Sequence, residues 1–345
     1  MMEKAGLYIH IPFCASKCPY CDFYSVKYEE NAAREYVKRL CAEFEKYRDT
    51  AFDTVYLGGG TPSILSAAAI CDILSAARQN FDIDENSEIT IECNPSKDLR
   101  RDFKIYKEAG INRVSIGMQS AVKAERLALG RIAGAQQVVK TIQNARAAGI
   151  FNISVDLMIG TPKQSVDGLR RTLDFIKDMQ VPHVSAYILK IEPGTPFFKM
   201  REKLVLPGDD EVANMYLETV AALEAQGLRQ YEISNFAKPG FESRHNIKYW
   251  KLVPYLGIGK TAHSFWNGRR FYYDRDFNIV DDGAGGGREE SIMLGMRLAE
   301  GVDKALITKD TAPYVKAGFL KETDSRLAFT PKGFLVSNTI LSELI

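Results

Sequence analysis

Six short apolar segments alternate with amphipathic helical stretches over the first 190 residues, and this rhythm limits the chain to very few folds. Residues 7–12, 54–57, 88–93, 113–118, 153–159 and 183–189 are rich in β-branched or aromatic side chains, the pattern of buried strands. Helical patterns fill the gaps at 31–47, 66–79, 98–108, 135–148 and 165–179; the first carries Tyr36, Val37, Leu40, Phe44 and Tyr47 at helical spacing. Gly110 and Gly149 follow two of these helices, where a left-handed cap residue is expected. Such alternation predicts parallel strands joined by right-handed crossovers. Six βα units suit a partial barrel or an open doubly wound sheet, and periodicity alone does not choose between them.

After Pro193-Gly194-Thr195-Pro196 the rhythm changes. A long helix is expected over 209–226, then a stretch dense in aromatics and glycine from 231 to 273, then a flexible connector at 281–287. Residues 289–345 read as two or three helices with a short β-like piece at 327–330, a winged-helix-like layout. Such modules usually read DNA, but this tail has no strong basic excess, which favours a structural or docking role. The expected organisation is a barrel over 1–200, an extension over 201–280 and a small module over 288–345. The formal net charge is +1, so no bulk field draws the chain to nucleic acid. No apolar run reaches the roughly 18 residues of a membrane span. Residues 1–6 are too short and polar for a signal peptide, and the expected location is the cytoplasm.

Chemistry is concentrated in Cys14-Ala15-Ser16-Lys17-Cys18-Pro19-Tyr20-Cys21, directly after the first strand. Three thiolates in a Cys-x3-Cys-x2-Cys loop can ligate three irons of a cubane [4Fe–4S] cluster and leave the fourth iron open. The amine and carboxylate of S-adenosylmethionine can chelate that iron, and one electron then splits the sulfonium to give an adenosyl radical. A structural zinc site would need a fourth ligand, for which His10 has no clear spacing; a ferredoxin-type site would need a fourth nearby cysteine. Cys41, Cys71 and Cys93 are scattered singly and read as small buried hydrophobes. Gly58-Gly59-Gly60-Thr61-Pro62-Ser63 follows the second strand, where glycines let backbone approach a ligand. Glu92, Gln119 and Asp156 lie at or near the ends of successive strands, and Arg131 lies in the loop after the fourth. Unpaired charges there would be costly, so together they read as a ligand ring on the face where barrel loops carry function.

These motifs, with Tyr8–Cys14, Glu92-Cys93-Asn94-Pro95, Val114–Ser120 and Asp156–Gly160, resemble the coproporphyrinogen-dehydrogenase-like proteins of the radical SAM superfamily over nearly the whole chain. The resemblance implies a partial (βα)6 barrel with a C-terminal α+β, winged-helix-like accessory region. It implies that Tyr8 and Tyr20 neighbour the cofactor, that Gly59, Gly60 and Thr61 line its methionine part with Glu92 and Arg131, and that Gln119 and Asp156 bind its ribose hydroxyls. Within the superfamily the chain looks most like the radical SAM haem chaperones (the HemW type). The true dehydrogenases carry a further cysteine two positions past the third cluster ligand, where this chain has Phe23, and a longer segment before the cluster loop. His245-Asn246-Ile247-Lys248-Tyr249-Trp250 matches the HNxxYW motif of the chaperones. Histidine is a standard haem ligand and aromatics can pack on a porphyrin face, so His245, Tyr249 and Trp250 are candidate haem contacts, with His263 as a second candidate. A turn-capping histidine with core aromatics is the plainer reading of that motif. His10 and His183 lie in strand patterns and read as structural.

The resemblance implies a binding protein that carries haem or a porphyrin to an acceptor protein, with electrons from a donor such as flavodoxin or ferredoxin, and a peripheral membrane position on delivery. The alternatives are an oxygen-independent coproporphyrinogen III dehydrogenase, which would decarboxylate propionates to vinyl groups, and a radical SAM methyltransferase. Phe23 and the short start weigh against the first, and the HNxxYW motif against the second.

Overall fold

The computed structural model describes residues 4–345; the reading of residues 1–6 falls partly outside them. Six parallel strands stand close to the expected positions: β1 (Ala5–Ile11), β2 (Ala51–Gly59), β3 (Asp82–Cys93), β4 (Arg113–Gln119), β5 (Asn152–Ile159) and β6 (His183–Ile188). They pair in chain order and are joined by α1 (Glu30–Glu43), α2 (Ala67–Asn80), α3 (Arg100–Glu108), α4 (Ala135–Ala147) and α5 (Val166–Met179). Ser66 and Ser165 start α2 and α5 by accepting hydrogen bonds from the Ala69 and Gly168 amides. Gly110 and Gly149 have φ of +93° and +84°, the left-handed turn that releases the chain from α3 and α4.

The strands have two distinct faces. Leu7, Ile9, Ile11, Val55, Leu57, Ile89 and Ile91 are buried in one apolar core with Ile70 and Leu74 of α2. Their alternates, among them Gly6, Tyr8, His10, Thr54, Tyr56, Glu88 and Glu92, point the other way. On that side Glu92 of β3 lies within electrostatic range of Asp156 of β5, and Tyr56 of β2 within range of Tyr187 of β6. Electrostatic range across so many strands requires the sheet to curl, which resolves the open choice in favour of the partial barrel.

The sheet continues beyond six strands. After α6 (Asp209–Glu224), β7 (Arg229–Gln230) and β8 (Asn235–Ala237) extend the β6 edge antiparallel. A short helix, α7 (Arg244–Trp250), is followed by β9 (Tyr255–Ile258), which pairs parallel with the outer edge of β1. The strands β10 (His263–Trp266), β11 (Arg269–Tyr273) and β12 (Ile279–Ala284) then follow as an antiparallel meander. The expected flexible connector at 281–287 is therefore half strand: residues 279–284 are the sheet edge, and Gly285 closes the turn by donating to the Gly268 carbonyl.

At the C-terminus come α8 (Arg288–Gly295), β13 (Val302–Asp303), α9 (Ala312–Lys316), β14 (Leu320–Glu322), β15 (Arg326–Phe329), α10 (Pro331–Leu335) and α11 (Ser337–Leu344). The three strands form a separate antiparallel sheet in the order β13-β15-β14. Leu320, Leu327, Phe329 and Phe334 are buried in the same continuous core as the barrel. Among the described residues no helix is long and apolar enough to cross a membrane.

Candidate cofactor site

The loop after β1 is held in place by its backbone. Val26 donates to Pro12 O at 2.7 Å, Tyr28 to Cys14 O at 2.9 Å, and Cys21 to Cys18 O at 3.1 Å. From outside, the Phe197 amide donates to Pro19 O at 2.9 Å. Pro19 lies so close to Gly130 that a Cβ there would fall 2.9 Å from its ring. Cys14, Cys18 and Cys21 are thus fixed on one loop as half-buried free thiols.

The glycine loop after β2 is tied to the end of β1 and to the start of the cluster loop. Gly60 donates to Ile11 O and Thr61 to Phe13 O, both at 2.8 Å. A Cβ on Gly60 would meet Phe13 O at 2.7 Å, and one on Gly59, whose φ is +112°, would strike the His10 ring at 2.4 Å. These two positions need glycine for close approach and for backbone conformation respectively. Thr61 Oγ1 comes within 3.5 Å of Cys14 Sγ.

Above the strand ends lies a cavity of about 400 Å³ whose lining includes Cys21. Tyr20, Gly59, Gly60, Thr61, Glu92, Gln119, Arg131 and Asp156 all line it, eight of the nine non-cysteine residues expected around the cofactor. Tyr8, the ninth, sits beneath, its ring 6.2 Å from that of Tyr56. Tyr56 in turn donates to Glu92 Oε1 at 3.0 Å, and the Gly59 amide donates to Glu92 Oε2 at 3.2 Å. Ser115 donates to Asp156 Oδ1 at 3.0 Å, and Arg131 donates to the Tyr20 hydroxyl at 3.3 Å. Gln119 has φ of +72°, uncommon for a side chain of its size. It sits where β4 and β5 slip register. Sequence reasoning missed Ser115, Gly117, Met158 and Tyr187, which also line the cavity. Gly117 leaves the space that Arg131 and Gln119 fill, each 3.1 Å from where its Cβ would stand. The inward alternation of β4, β5 and β6 was the signal that could have found them.

Two half-buried carboxylates, Glu92 and Asp156, line the cavity. Burial, and then the nearby Asp156, push the Glu92 carboxyl up to about 7. Burial also raises Asp156, against the pull of its serine hydrogen bonds and of Arg113. A cationic ligand between them would relieve both. The residues present therefore fit an iron–sulfur cluster on three thiolates beside a zwitterionic, cationic cofactor: free thiols on one anchored loop, two carboxylates short of countercharge, one guanidinium, and a glycine turn whose backbone a ligand can approach closely.

The four histidines have different surroundings. Burial lowers the His10 pKa to about 4, so its neutral ring donates from Nε2 to Tyr24 O at 3.2 Å and accepts at Nδ1 from Tyr8 at 2.9 Å. Neither nitrogen is available as a fourth metal ligand. His183 is buried between Ser154 at 2.7 Å and Tyr231 at 2.9 Å. His245 is fully buried, with its ring nitrogens 2.8 Å from Thr54 Oγ1 and 2.8 Å from the Tyr249 hydroxyl. It stacks on Tyr56 at 5.3 Å. Helix α7 closes the N-terminal end of the barrel: the Arg244 and His245 amides both donate to Glu88, each at 3.1 Å, while Lys248 pairs with Asp53 at 2.8 Å. His245, Tyr249 and the half-buried Trp250 therefore belong to the barrel floor, remote from the cluster loop along the strands. His263 alone is exposed, stacked on Tyr272 at 5.0 Å.

Comparison with known proteins agrees with this geometry. Residues 8–176 match the radical SAM superfamily. A protein of Lactococcus lactis named heme chaperone HemW is 30% identical over all of this chain and 98% of its own. Its Escherichia coli namesake is 38% identical over 76% of this chain and 70% of its own. Among solved structures, the radical SAM enzyme coproporphyrinogen III oxidase (HemN) of Escherichia coli superposes with a TM-score of 0.84 at 21% identity, over 99% of this chain and 90% of that one; it shares the fold. The superfamily implies a [4Fe–4S] cluster and S-adenosylmethionine. On its thiol loop, its curled sheet and its end-to-end similarity, the chain belongs to the HemW family of radical SAM proteins.

Proposed function

We propose that this chain is a haem chaperone: Cys14, Cys18 and Cys21 ligate a [4Fe–4S] cluster, the cavity beside them binds S-adenosylmethionine, and haem is carried as cargo to an acceptor protein. The convergence of eight expected residues on one cavity beside Cys21 supports the cofactor part. When bound, the cluster supplies one electron to the cofactor's sulfonium bond. The chain's own residues bind and shield. Gly59, Gly60 and Thr61 take the methionine part, Glu92 pairs with its amine and Arg131 with its carboxylate. Gln119 and Asp156 accept from the ribose hydroxyls, and Tyr20 covers the site. Tyr8 acts from below by supporting Tyr56, which orients Glu92. A donor such as flavodoxin or ferredoxin delivers the electron, and the cytoplasm is the setting.

The HemW-named relatives support the haem part, and the state of the histidines selects among the candidate ligands. An axial ligand must offer a free ring nitrogen. His10, His183 and His245 have hydrogen-bond partners at both nitrogens, and only His263 is exposed. His263 is the proposed haem ligand, with Tyr272 as its aromatic neighbour, while His245 and Tyr249 hold the barrel floor. Anaerobic haem titration tests this. His263→Ala weakens haem binding at least tenfold and changes the Soret band, whereas His245→Ala keeps the wild-type spectrum. An unchanged spectrum and affinity in His263→Ala would remove this residue as the ligand.

A further inference from the structure

The inside of the barrel is polar, where closed barrels of alternating strands and helices are ordinarily filled by branched apolar side chains. Glu88, Thr90 and Glu92 face inward from β3, and Arg113 and Ser115 from β4, opposite to Ile89, Ile91, Val114 and Ile116 of the outer core. The parallel register sets their heights. Thr90 is level with Arg113, Glu92 with Ser115, and Gly117 with Asp156 of β5. Arg113 therefore stands between Glu88, one step below, and Glu92, one step above. Its Cα is about 8 Å from the Cα of each, a span that so long a side chain can cover. One step further along its own strand, Ser115 donates to Asp156 at 3.0 Å.

Hydrogen bonding does not explain the place of this residue. Arg113 is 2% exposed, yet among the described residues no group accepts from its Nε. Thr90 Oγ1, on the neighbouring strand, is equally without a partner. A buried orphan donor is costly, and an ion inside a protein is costlier still. What surrounds Arg113 is charge. Glu88, first among its acidic neighbours, more than offsets the effect of burial, so the guanidinium stays charged. Glu88 also receives the Arg244 and His245 amides of the plug. On the cavity side, Arg113 draws Glu92 and Asp156 down against the effect of burial. The other titratable groups near it are neutral. Burial raises Tyr56 and Tyr231; burial and Arg113 lower His183; burial, Lys248 and Arg113 lower His245 to about 3.

We propose that Arg113 is a positioning residue for the cofactor site: set between the floor and the cavity, it is the countercharge shared by Glu88 below and by Glu92 and Asp156 above. The proposal rests on the cofactor reading given above. Both cavity acids must be anions to hold the cofactor's amine and ribose hydroxyls, and Arg113 lets them stand near each other in that form before the cofactor arrives. Without it each acid keeps its proton to higher pH, and that proton must leave before a cationic ligand can bind.

The test measures S-adenosylmethionine affinity by calorimetry between pH 6 and pH 9, on full-length protein with its cluster assembled. Arg113→Met and Arg113→Gln remove the charge, the second leaving a donor for Glu88; Arg113→Lys keeps the charge. Both neutral variants are expected to bind at least tenfold more weakly at pH 7 and to recover most of the loss by pH 9. The midpoint of their affinity profile then lies at least one unit above that of the wild type. Arg113→Lys follows the wild-type profile. The ligand's own ionisation is common to all these proteins and cancels. A loss of equal size at every pH, no loss at all, or a Lys variant that behaves like the neutral pair would overturn the proposal. So would neutral variants that fail to fold even at pH 6, where protons can neutralise the acids, because Arg113 would then serve packing alone. Wild-type protein that binds no S-adenosylmethionine at any pH would instead remove the cofactor reading itself.

Discussion

Glu92 is an acid held where ionisation is unfavourable, and that makes it the most telling single residue. Its folded pKa of about 7 stands above the usual glutamate value, so the unfolded chain releases this proton more readily than the folded one. Between about pH 4.5 and 7 the cofactor-free protein therefore loses stability as pH rises, and above 7 the whole deficit is present. Glutamine keeps the shape and removes the charge. Glu92→Gln is expected to raise the thermal midpoint of cofactor-free protein at pH 8, by the equivalent of about 1–3 kcal/mol, and to leave it nearly unchanged at pH 5. The same variant binds S-adenosylmethionine at least tenfold more weakly, because the partner for the amine is gone. Calorimetric melts at the two pH values check the first effect. An equal shift at both would show that the carboxylate carries no such strain.

At the scale of elements, α7 is a plug whose attachment is unusually concentrated. Glu88 of β3 receives both the Arg244 and His245 amides. These are orphan donors at a helix start, which must be satisfied when buried. Glu88→Ala leaves them without an acceptor and is expected to cost about 2–4 kcal/mol. Hydrogen exchange should show faster exchange over residues 244–250 while β4 and β5 stay protected; uniform loosening of the barrel would contradict a local plug. The same element shows where the sequence could and could not be read. The six strands were legible because each is a β-rich apolar run set between helical patterns, and the cavity residues because they interrupt those runs at strand ends. β9 was not legible: Tyr255-Leu256-Gly257-Ile258 is short, contains a glycine, and follows a helix of only seven residues. Its Gly257 is required because His263 O lies 2.2 Å from where a Cβ would stand, a contact that depends on the hairpin that follows. Sequence alone favours a structural His245, with haem contact implied by the resemblance, but its two partners, Thr54 and Tyr249, come together only once α7 docks.

Over the whole molecule, the two ends of the barrel have separate tasks. The C-terminal end gathers the thiols, the glycine turn and the paired carboxylates, together with exposed apolar side chains such as Phe23, Ile132 and Val205. The N-terminal end is closed by α7 and by buried polar pairs. This division follows from parallel strands, which present all their following loops on one side. It is compatible with two chemistries of the same fold: carrying haem, or oxidising a porphyrinogen. The chain has Phe23 at the rim, 65% exposed, two residues beyond Cys21, where the dehydrogenases it resembles have a further cysteine. The most direct measurement is an anaerobic incubation of the reconstituted protein with reductant, S-adenosylmethionine, haem and coproporphyrinogen III together, followed by separation of protein-bound and free tetrapyrroles. The account predicts haem bound to the chain and coproporphyrinogen III recovered unchanged; accumulation of protoporphyrinogen, with no haem retained, would contradict it.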